Sequence, residues 1–62
     1  MNAKQLQREA RRAVRYYRKA CADAGQDASL DGLLETESQG DWEKTPWKKV
    51  RSALVDAYYE GK

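Results

Sequence analysis

At 62 residues, with Leu and Val but neither Ile nor Phe, the chain has material for one thin-cored domain and no more. A single cysteine rules out an intrachain disulfide, and the absence of His rules out Cys-His pairs, Ser-His-Asp triads and the common zinc clusters. The net charge is only +2, but residues 1–24 carry seven bases against Glu9 and Asp23, residues 25–43 carry six acids and no base, and residues 44–62 carry five bases against Asp56 and Glu60.

The first segment has the clearest periodicity. Ala3, Leu6, Ala10, Ala13, Tyr17, Ala20 and Ala24 recur in steps of three and four, which draws one stripe down a helix, widened by Val14 and Cys21. Asn2 is a suitable N-cap and Gly25 a suitable left-handed stop, so the spacing predicts a helix over about residues 3–24. Most of the stripe is Ala, which lets a partner helix approach closely, with Leu6 and Tyr17 as anchors. It reads as a core face packed on the chain's own helices; a self-pairing seam in a homodimer is the other use of such a stripe.

From Gly25 to Glu43 the chain is rich in Gly, Ser, Asp and Gln, the residues of turns. Leu30, Leu33 and Leu34 fall at helical spacing behind Asp27 or Ser29 as a cap, predicting a short helix near residues 29–37 despite Gly32. Thr45-Pro46 then opens a third helix, Thr as cap and Pro at the first helical position, with Gly61 as its stop. Between them Trp47, Val50, Leu54, Ala57 and Tyr58 give an apolar face over about residues 46–60. No stretch alternates in the manner of a strand. The expected fold is all-α: one three-helix domain over residues 1–62, with a long, a short and a medium helix.

Function is written mainly in charge. Arg8, Arg12, Arg15 and Lys19 project from the first helix at nearly one angle, opposite the Ala stripe, with Arg11 and Arg18 to one side. The row extends about 16 Å. Arg8 with Arg12, Arg11 with Arg15, and Arg15 with Lys19 are like-charge pairs one turn apart, each costing roughly 0.2–0.5 kcal/mol in an isolated helix. Glu9 is the only acid between Lys4 and Ala22. A helix built only for solubility interleaves acids with bases, so this row predicts an anionic partner. Guanidinium groups suit phosphates and carboxylates, and nucleic acid is the first expectation, with an acidic protein surface as the alternative. The competing outcome is internal: Asp27, Asp31, Glu35 and Glu37 fold back and neutralise the row.

Lys48 and Lys49 fall in the first turn of the third helix, against the helix dipole, and an anion there would relieve the conflict. Together with Lys44, Arg51, Trp42 and Trp47 they give a mixture of cations and rings suited to single strands or phosphates. Trp47 reads as packing, Trp42 as either packing or surface. Tyr17 and Tyr58 fall on core faces; Tyr16 and Tyr59 point away from them. Asp31, Glu35 and Glu37 occupy the place where a helix-turn-helix reader would carry bases, so base-specific readout is not expected. Asp27, Asp31 and Gly32 do not follow the spacing of a calcium loop, and no cofactor is implied. The expectation is a small regulatory binding protein, not an enzyme, working in a reducing, cytoplasmic compartment. No export signal is expected, because charged residues from Lys4 onward interrupt any apolar run. No membrane role is expected, because no 18 apolar residues are consecutive and an Ala face offers a bilayer little.

Overall fold

The computed structural model describes residues 1–60 and consists of three helices: α1 (Ala3–Asp23), α2 (Leu30–Ser38) and α3 (Trp47–Glu60). No strand occurs among the described residues, and the order long, short, medium is the expected one. The Gly61 stop lies outside the described residues.

Local chemistry sets each boundary. Asn2 accepts a hydrogen bond from the Gln5 backbone N–H at 2.8 Å, and the Gln5 side chain accepts one from the Asn2 N–H at 3.2 Å, so α1 opens on a reciprocal capping box. It ends as its glycine predicts. Gly25 has φ +70°, and Gln26 N–H reaches the Cys21 carbonyl at 2.8 Å while Gly25 N–H reaches that of Ala22 at 3.1 Å, which is a Schellman closure. Ser29, not Asp27, caps α2 by accepting from Gly32 N–H.

The opening of α3 differs from expectation. The Pro46 carbonyl already accepts from Val50, so Pro46 is the cap residue and Trp47 the first helical one. The Thr45 hydroxyl, expected to cap, is buried without a hydrogen-bond partner. The chain enters this helix through Glu43 and Lys44, both at positive φ (52° and 63°). Two successive left-handed residues turn the backbone so that Thr45 N–H meets the Trp42 carbonyl at 2.9 Å, and the Thr45 side chain faces inward.

Leu6 and Gln7 border α3 near Lys49 and Ala53, Arg11 meets Glu60, and Arg18 reaches Tyr58, so α1 and α3 advance in the same sense. α2 runs back alongside this pair: its first turn lies at Tyr17, and Glu37 near its end lies across from Arg8 and Arg12. The molecule measures 34 × 23 × 14 Å, its long axis set by α1, whose 21 residues span about 31 Å.

One core cluster draws on all three helices: Ala10 and Val14 from α1, Leu33 from α2, and Val50, Leu54 and Ala57 from α3. Leu33, Leu54 and Val50 are completely buried, each stabilising by roughly 1.5–3 kcal/mol. The buried face of α1 follows Leu6, Ala10, Val14, Tyr17 and Cys21. Ala3 and Ala24 are exposed at the two ends of α1, and Ala20 is exposed beside the buried Cys21 because it lies at a different angle around the helix.

Gly32 explains itself in this packing. A Cβ there would run into the Tyr17 hydroxyl, so glycine lets α2 seat its first turn on the α1 ring. Burial pushes the Tyr17 phenol above its ordinary range. Tyr58 ties the far end together: its hydroxyl donates to the Ala28 carbonyl at 2.8 Å, fastening α3 to the α1–α2 connection. The tryptophans invert their expected weighting. Trp42 packs against the core and donates its indole N–H to the Glu37 carbonyl at 3.3 Å, whereas Trp47 remains 37% exposed at the start of α3.

Candidate functional site

Six cations were read from α1, and the structure divides them by angle. Arg18 leaves the row. It lies partly buried over the Tyr58 ring, 5.0 Å from its centroid, and donates to the Tyr58 carbonyl at 2.7 Å. That carbonyl belongs to the last turn of α3, where a positive charge is favoured by the helix dipole. Arg11, one step around the helix, pairs with Glu60 at 2.9 Å, but both side chains are more than half exposed, so the pair contributes at most about 1 kcal/mol and holds Arg11 loosely.

Arg8, Arg12, Arg15 and Lys19 remain. All four are exposed, and the Arg11–Glu60 bridge is the only ion pair among the described residues. Asp27, Asp31 and Glu35 are exposed elsewhere and do not reach the row. Glu37 comes nearest, across a cleft of about 480 Å³ lined by Arg8, Glu9, Arg12, Tyr16, Asp41 and Trp42, among others. No ion pair joins Glu37 to Arg8 or Arg12 among the described residues, and desolvation pushes the Glu37 carboxyl up. Among the described residues the acidic middle forms no ion pair with the row.

The cleft could not be read from the sequence. Its second wall is the α2–α3 connection, where Asp41 accepts from the Glu43 N–H at 3.1 Å and turns the chain past Tyr16. Tyr16 itself is 76% exposed. It stands one turn after Arg12 and three residues before Lys19.

Lys48 and Lys49 are exposed in the first turn of α3 and are not brought to the row. Lys49 instead lines a second groove with Leu6, Gln7, Glu43 and Asp56. Among the described residues no group of His, Cys, Asp and Glu is arranged to hold a metal ion, and no helix is long and apolar enough to cross a membrane. Cys21 is buried on the core face of α1. In comparisons with known protein families, curated proteins and solved structures, the chain matches none.

Proposed function

We propose that this protein is a non-enzymatic binding protein whose α1 face docks on the phosphates of a nucleic acid. One observation carries the reading: Arg8, Arg12, Arg15 and Lys19 point to solvent along one helix face with no ion-pair partner among the described residues. A fold maintains such mutual repulsion at a cost that an external anion offsets. Three of the four are Arg, whose planar fork matches phosphate oxygens. α2 carries Asp31, Glu35 and Glu37 where a base-reading helix would present cations or neutral donors, which favours contacts to the phosphate backbone over base-specific readout.

The test is the salt dependence of binding to a labelled oligonucleotide. Four phosphate contacts give a slope near −2.8 for a single strand and −3.6 for a duplex, an affinity loss of about 50-fold or about 150-fold between 50 and 200 mM salt. Replacing Arg8, Arg12 and Arg15 by Ala should leave a slope below about 1 in magnitude. Ala at these exposed helical positions keeps α1 intact. Absence of binding at 50 mM salt, or a slope unchanged in the triple variant, refutes the reading. The alternative partner, an acidic protein surface, would meet the same guanidinium groups, with the exposed Asp31 and Glu35 helping to orient a bipolar contact.

A further inference from the structure

We infer that the nucleic acid this protein takes is single-stranded, with a base stacked on Tyr16 and its phosphates on Arg12 and Lys19. This rests on the phosphate-binding reading above and adds to it the form of the ligand.

Four features of the site converge on this. Tyr16 is the most exposed of the large apolar side chains at 76%, and it takes part in no hydrogen bond or ring contact among the described residues. Leaving an aromatic face in water forgoes the stabilisation its burial would bring, and this ring stands in the line of cations, with Arg12 four residues before it and Lys19 three after. On a helix those spacings place all three side chains on neighbouring turns. A ring between two cations is the arrangement that holds a base by its π-face while the flanking phosphates are neutralised.

The cleft beside Tyr16 supplies the third feature. It has about 480 Å³ of open space, bounded on one side by Arg8, Glu9, Arg12 and Tyr16 and on the other by Glu37, Asp41, Trp42 and Glu43. The α1 wall carries two guanidinium groups against the one carboxylate of Glu9, and the charged groups of the facing wall are all acids. A strand whose phosphates follow α1 keeps them away from Asp41 and Glu43, while a base turned inward can present its exocyclic amino group to those carboxylates.

The fourth feature disfavours a duplex. In paired nucleic acid the bases are stacked within the helix and offer no face to Tyr16, and Glu37, Asp41 and Glu43 at the cleft repel a further row of phosphates brought near them.

Fluorescence anisotropy with three labelled probes of equal length tests this: a mixed-sequence single strand, the same phosphate backbone without bases, and a duplex. The parent protein should bind the single strand more tightly than the duplex. Tyr16→Ala should weaken single-strand binding by between about 5-fold and about 150-fold, leave the abasic probe unaffected, and leave the helical content unchanged because the ring is exposed. Tyr16→Phe, which keeps the face and loses the hydroxyl, should retain parental affinity. Equal binding of single strand and duplex, or a Tyr16→Ala loss that is equal on the abasic probe, overturns the stacking proposal and leaves phosphate binding standing. Failure of all three probes to bind at low salt overturns both.

Discussion

Removing Arg18 separates the cation that holds the fold from those that face solvent. Its guanidinium makes a charge-assisted hydrogen bond of 2.7 Å to the last turn of α3 and lies 5.0 Å from the Tyr58 ring centroid. A hydrogen bond from a charged group stabilises by about 1.5–3 kcal/mol, and a partly exposed cation over an aromatic face by about 0.5–1 kcal/mol. Since the site is only partly buried, the lower ends apply, and Arg18→Ala should cost about 2 kcal/mol. A chain of this size has roughly 3–9 kcal/mol of total stability, so the loss is a large share of it. At about 4–8 °C per kcal/mol, the midpoint of thermal unfolding should fall by about 8–16 °C. Arg15→Ala, on the same helix but pointing to solvent, should remain within about 0.5 kcal/mol of the parent or gain slightly, because it relieves two like-charge pairs. Circular dichroism during heating and urea titration reads both. An Arg18→Ala variant as stable as Arg15→Ala would refute the assignment of Arg18 to the fold.

Gly32→Ala forces a Cβ against the Tyr17 hydroxyl and should destabilise by about 1–3 kcal/mol in urea titration, the range for overpacking, although alanine is the better helix former. Lys44→Gly should stabilise by up to about 1 kcal/mol, since a left-handed conformation costs an L-residue about 1–2 kcal/mol and glycine almost none, offset in part by the freer unfolded chain. Glu37 gives a pH signature. Its carboxyl is raised above 4.5 by desolvation, so the folded state holds this proton more tightly than the unfolded one. Its contribution to stability is greatest at low pH and is lost as pH rises from about 4.5 through the raised folded value. Glu37→Gln should therefore be more stable than the parent at neutral pH, a difference that shrinks on acidification in unfolding curves taken across that range.

The three helices and most of their ends were legible in local residue patterns. Asn2, Gly25 and Ser29 act through hydrogen bonds or dihedrals within a few residues, and such local effects do not depend on what the rest of the chain does. The angle of each cation around α1 was equally legible, including the offset of Arg11 and Arg18 that α3 turns into contacts. Spacing could not say which apolar positions a neighbouring helix covers, and so Ala20 and Ala24 lie open while Cys21 is buried. Nor could it foresee Trp47 open and Trp42 packed, or Pro46 in place of Thr45 as cap; two consecutive left-handed residues set the path into α3. Whether the acids would cover the Arg row was likewise a tertiary question. Charge along a chain records how many ions of each sign exist, but their separation in space follows from where the packing of Leu33, Leu54 and Val50 places the helices that carry them.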